Sequence, residues 1–196
     1  MANIDLLTIK KLRDETSASI ADCRRALDES NGNYDQAMEW LKKRAAEIAA
    51  KKADRETAEG IIEPYIHQGG KVGVLVQLSC ETDFVARNDA FKGLAHEIAL
   101  QAAAMNPEYI RPEDVPSEIV EKEKEIYREQ LLKEGKSAEM IEKILPGKIE
   151  KYYESVCLMK QIFVKDDKKK IEDLMSEAVT KLGENIRIER FNRFSL

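Results

Sequence analysis

Only one stretch of this chain reads as a β-hairpin, and it sits between long runs of helical periodicity. Ile61 to His67 and Lys71 to Cys80 have strand character, and Gln68-Gly69-Gly70 supplies the turn between them. Val72, Val74 and Val76 alternate onto one face; Leu75, with Gly73 and Gln77, lies on the other. Ile186, Ile188 and Phe191 lie in a last extended segment that adds a third strand. The remainder is helical. The expected fold class is therefore α+β, a three-stranded antiparallel sheet packed with helices.

Ahead of the hairpin, residues 4 to about 50 read as three short helices. Leu6, Ile9 and Leu12 form one face of the first. The second opens at Ser19 with Asp22 three residues on, an approximate capping box, and places Ile20, Cys23, Ala26 and Leu27 on one side. Asn31-Gly32-Asn33 breaks the chain. The third begins with Asn33 as cap and buries Tyr34, Ala37, Met38 and Leu41. Ala45 to Gly60 is charged and alanine-rich; it either extends the third helix or acts as a linker. The domain boundary is placed there, giving a small three-helix unit with linker at 1–54 and an α+β core at 55–196.

In the core, Asn88 to Ala104 is a helix with Phe91, Leu94, Ala95, Ile98 and Ala102 as its apolar stripe. Pro107, Pro112 and Pro116 punctuate a loop. Ser117 to Lys133 and Ala138 to Leu145 are charged amphipathic helices, Pro146-Gly147 stops the second, and Lys148 to Met159 forms another. Asp167 to Leu182 is the last helix, with Gly183 as its carboxy-terminal cap.

The junction Cys80-Glu81-Thr82-Asp83-Phe84-Val85-Ala86-Arg87-Asn88 is unusual. Junction loops are normally polar, yet Phe84 stands here directly after an acid. Thr82 or Asp83 can cap a following turn. Phe84 then either folds back as an anchor with Val85 or is presented to something else.

Several chemistries are excluded or disfavoured. The 196 residues carry 32 basic and 37 acidic side chains, a formal charge of −5, which argues against a nucleic-acid binder. Lys42-Lys43-Arg44 and Lys168-Lys169-Lys170 read as solvated helix faces. Cys23, Cys80 and Cys157 are odd in number and widely spaced, and His67 and His96 are the only histidines. Neither a disulfide framework nor a zinc site is expected, and a reducing cytosol is the natural setting. No apolar run approaches the roughly 18 residues that span a bilayer, and Met1-Ala2-Asn3-Ile4-Asp5 lacks signal-peptide character. Gly135-Lys136-Ser137 fails as a phosphate loop because the position five residues before Gly135 is Gln130; Gly147-Lys148 fails likewise at Glu142. No local signature of a nucleophilic enzyme is present. The chain reads as a protein that acts by binding another protein, with no cofactor, no metal and no nucleotide of its own.

The junction resembles the signature of the elongation factor Ts family. So do Ile9-Lys10-Lys11-Leu12-Arg13 with Thr16, Asp22 and Cys23; Ala49-Ala50-Lys51-Lys52-Ala53; Gly73-Val74-Leu75-Val76; Met105-Asn106-Pro107; Gln161-Ile162-Phe163-Val164-Lys165-Asp166; and Lys181-Leu182-Gly183-Glu184-Asn185-Ile186. The resemblance runs from about residue 5 to the end in the family's order. It implies a guanine-nucleotide exchange factor of the cytoplasm, not an enzyme in the catalytic sense, whose partner is elongation factor Tu. It implies that the amino-terminal unit is ubiquitin-associated-like and docks on the partner's GTP-binding domain through Arg13, Ile20 and Ala21. It further implies that Thr82, Asp83, Phe84 and Val85 act on the partner's magnesium site, Phe84 as a wedge, Asp83 by capping or polar contact, Thr82 and Val85 as supports.

The chain departs from the family at Ser17-Ala18-Ser19-Ile20-Ala21, where Gly-Ala-Gly and two methionines are usual. Serine loses glycine's backbone freedom there, and Ala21 offers less contact area. Its length matches the short form, which pairs as a homodimer through its sheets. The alternative is a ubiquitin-associated-like interaction scaffold without exchange activity, which leaves the junction unexplained.

Overall fold

The computed structural model describes residues 5–196; the readings made at residues 1–4 lie outside it. Three helices come first: α1 (Leu6–Thr16), α2 (Ile20–Glu29) and α3 (Tyr34–Lys52). Each starts at a side-chain cap, Asp5, Ser19 and Asn33 accepting from Leu7, Asp22 and Gln36 backbone N–H groups. Their apolar faces meet in one cluster of Ile9, Leu12, Ala18, Cys23, Ala26, Leu27, Ala37 and Leu41. Leu6 does not join it: the side chain is 79% exposed, because successive three-residue steps rotate about 60° away from the buried stripe. Ala45 to Lys52 continues α3 instead of forming a flexible linker.

The hairpin is present as β1 (Glu59–Ile66) and β2 (Val72–Cys80), with β5 (Ile186–Ser195) on the other side of β2, all antiparallel in the order β1-β2-β5. Pro64 has no N–H to donate and lies on an edge strand. The inner face carries Val74, Val76, Leu78 and Cys80. Against it pack α5 (Asp89–Met105), through Phe91, Leu94, Ala95 and Ile98, and α8 (Ile171–Leu182), through Ile171, Met175 and Val179. The single turn α4 (Asp83–Ala86) links β2 to α5, and between α5 and α8 run the helices α6 (Ser117–Lys133) and α7 (Ala138–Val156) and a small second sheet of β3 (Ile162–Phe163) with β4 (Asp166–Lys170).

Three expectations are corrected. Pro146 does not stop α7, which runs through it to Val156. Pro146 and Gly147 face solvent, so water can satisfy the carbonyl that proline leaves without a donor, while Ile141, Leu145 and Ile149 bury the opposite face. The last helix starts at Ile171, not Asp167. The charged run before it pairs as β4, and the Asp173 carboxylate accepts from the Lys170 N–H to begin α8. Nor are the two basic clusters simply solvated helix faces. Lys42 Nζ donates to Lys168 O at 2.7 Å, and Lys169 lies on β4 and pairs with Glu177 at 2.9 Å, both side chains largely covered.

Gly135-Lys136-Ser137 is the turn between α6 and α7: Gly135 takes φ 78° and Ser137 caps α7. Among the described residues no helix is long and apolar enough to cross a membrane.

Candidate partner-binding site

The unusual junction begins where β2 leaves the sheet. Cys80 is the last ladder residue, paired with Ile186. Its thiol is buried and donates to Thr82 O at 3.2 Å; burial, then the nearby Glu184 charge, pushes its pKa to about 11, so it stays protonated at neutral pH and is no thiolate nucleophile.

Thr82, in extended backbone, is the cap of α4. Its hydroxyl accepts from the Val85 N–H at 3.5 Å, a long and weak bond. Asp83 opens the turn, where its charge complements the free N–H groups, and meets Arg87 at 3.0 Å. That pair is exposed and contributes at most about 0.5 kcal/mol. Val85 packs against the core cluster and Ala86 is buried beneath it. Phe84 points the other way, with 82% of its surface exposed. The four-residue helix is thus anchored through Val85 and Ala86 and holds Phe84 outward, apart from the core cluster.

Two glutamates tie the junction to the start of β5. Glu184 Oε2 accepts from the Glu81 and Thr82 N–H groups, at 3.0 Å each, and Glu184 Oε1 accepts from the Thr82 hydroxyl at 2.6 Å. Glu81 Oε1 accepts in return from the Asn185 N–H at 2.6 Å and meets Arg55 Nη1 at 3.4 Å. Asn185, buried, donates to Ala53 O and Arg55 O. The sequence signals neither glutamate's role, because the partners lie about a hundred residues apart.

The second group of expected residues lies on the three-helix unit. Arg13 is exposed on α1, and Ile20 and Ala21 open α2 with Ile20 57% exposed. All three face solvent. Ser17 ends α1 with φ 56°, the left-handed conformation that glycine would take without strain. Ser19 caps α2, accepting from the Asp22 N–H at 3.0 Å and donating to the Asp22 carboxylate at 2.7 Å.

Histidines 67 and 96 are exposed, bonded to Tyr65 and Glu63. Among the described residues no group of three or more His, Cys, Asp or Glu side chains is placed to hold a metal ion.

Residues 8–196 match the protein family described as Elongation factor TS. The chain is 52% identical over 193 residues to "Elongation factor Ts" of Thermotoga petrophila, covering 98% of this chain and 96% of that one. It is similarly 52% identical over 188 residues to "Elongation factor Ts" of Thermosipho melanesiensis, with 96% of each covered. To "Elongation factor Ts" of Carboxydothermus hydrogenoformans it is 51% identical over 188 residues, 96% of this chain and 87% of the relative.

Proposed function

The chain belongs to the elongation factor Ts family, and from that premise we propose that it binds elongation factor Tu carrying GDP and speeds GDP release so that GTP can reload. The observation that supports this most directly is Phe84, exposed on a turn whose neighbours Val85 and Ala86 are anchored in the core. The ring enters the partner's GTP-binding domain near the magnesium site. Its entry shifts the elements that hold magnesium and phosphate, and GDP loses part of its electrostatic hold. Asp83 makes the polar contact beside it. Arg13, Ile20 and Ala21 dock the three-helix unit of residues 1–54 on the same partner domain, while residues 55–196 carry the wedge. No residue of the chain performs a chemical step, and the setting is the cytoplasm.

The energetics require a surface larger than one ring. A thousandfold faster release needs about 4 kcal/mol off the dissociation barrier, whereas burying one phenylalanine contributes about 2–3 kcal/mol. The rest comes from the wider docking surface. Coupling is reciprocal, so nucleotide weakens the factor's binding by the same ratio by which the factor weakens nucleotide.

We further propose a homodimer through the outer face of the sheet. Ile62 and Ile66 of β1, Leu75 of β2 and Phe194 of β5 stand exposed there, with Ile66, Gly73 and Phe194 in register across the three strands. One uncovered apolar patch on a sheet is suited to isologous pairing with its own copy.

Release of a fluorescent GDP from purified elongation factor Tu, with and without this chain, tests the function. Acceleration that saturates with chain concentration is expected. An unchanged release rate favours the scaffold alternative.

A further inference from the structure

The turn that carries Phe84 is too short to hold itself. One helical turn fixes several backbone dihedrals for very few hydrogen bonds, and such nuclei are unfavourable alone. Its cap is long, at 3.5 Å. The Asp83–Arg87 pair is exposed. Something else must set the direction in which Phe84 points.

The cross-bonded glutamates sit at that place. The β2–β5 ladder ends at Cys80 and Ile186. Just past it, Glu184 takes over the pairing with side-chain oxygens: one accepts from two successive N–H groups, Glu81 and Thr82, and the other from the Thr82 hydroxyl. Thr82 is thereby held in its extended conformation (φ −128°, ψ 155°) at the residue where the turn begins. Bonds from N–H and O–H donors to a carboxylate are about twice as strong as neutral ones. Glu81 returns the link through the Asn185 N–H, so the clamp closes on itself. Both glutamates are half-buried.

We propose that Glu184 is a positioning residue for the exchange loop, fixing the start of α4 so that Phe84 is aimed before the partner arrives. This rests on the reading of Phe84 as the wedge. Preorganisation of this kind lowers the cost of ordering the loop when the partner is engaged. Glu81 is the second half of the same clamp and acts through Asn185.

The test uses the full chain with Glu184→Ala and Glu184→Gln. Glutamine keeps a carbonyl that accepts from both N–H groups and an amide that donates to the Thr82 hydroxyl, so it substitutes for most of the clamp. In Glu184→Ala, hydrogen exchange at the Glu81 and Thr82 amides should quicken at least about tenfold while amides of β2 and α5 keep their protection. The saturating rate of fluorescent GDP release should fall severalfold with the half-saturating concentration changed less, and Glu184→Gln should restore both readouts. If Glu184→Ala does not fold, Glu184→Asp, which keeps the charge but withdraws the oxygens by one methylene, is read the same way. Unchanged exchange at both amides, or full exchange activity despite their loss of protection, overturns the proposal. If the unmodified chain itself fails to accelerate GDP release, the wedge reading fails instead, and the amide measurement still decides whether the clamp exists.

Discussion

Ser17 shows how a single backbone angle records a departure from the family pattern. It ends α1 in the left-handed region at φ 56°, and its N–H still reaches the Arg13 carbonyl at 2.8 Å. Serine there carries a Cβ penalty that glycine avoids, partly offset by glycine's greater freedom in the unfolded chain. Ser17→Gly should therefore raise stability by about 0.5–1 kcal/mol, a gain of about 2 °C in Tm by calorimetry; a lower Tm would contradict the strain. Phe84 is the opposite case, an apolar residue whose exposure costs its own fold nothing to remove. The sequence drew attention to Phe84 by its setting between strand and helix, but left open which way the ring faced. Periodicity cannot decide that for a turn of four residues, because no stripe is long enough to define a buried side.

Elements with a clear apolar stripe were the legible ones. The hairpin, its turn, α2, α3 and α5 follow from alternation, caps and glycines, and β5 from Ile186, Ile188 and Phe191. The errors fall where local rules met tertiary packing. Pro146 ends a helix on local grounds, yet α7 continues because the proline faces water. Asp166 to Lys170 has no apolar pattern at all, and only pairing with β3 makes it a strand. What positions that small sheet was invisible in the sequence. Gln101, fully buried in α5, donates to Gln161 Oε1 at 3.2 Å and Ile162 O at 3.0 Å, and accepts from the Val164 N–H at 2.9 Å. Gln101→Ala removes all three bonds and leaves buried groups without partners, a loss of about 3 kcal/mol. Chemical denaturation should show it as a lower midpoint with the m-value kept; a change under about 0.5 kcal/mol would contradict the role.

At the scale of the molecule, the three-helix unit is fastened to the core by more than its chain connection. α3 packs along α8; Lys42 reaches Asp173 and Lys168 O, Lys52 reaches Gly183 O, and Lys169 reaches both Glu15 O and Glu177. Burial raises the Glu177 pKa, and Lys169 beside it draws it back. These links run between elements far apart in sequence, so composition could suggest a boundary near Ala45 to Gly60 but not the fastening across it. On the opposite side, the open apolar sheet face predicts self-association. Light scattering of the purified chain should give twice the chain mass, and Leu75→Glu should give the monomer while keeping the helical circular dichroism; a monomeric unmodified chain would contradict the pairing. The proposed action of the outward Phe84 ring on a foreign protein is tested most directly by stopped-flow release of fluorescent GDP from elongation factor Tu in the presence of the Phe84→Ala variant. The variant should fold as before and still bind the partner, with the saturating release rate reduced about tenfold or more; release as fast as that driven by the unmodified chain would contradict it.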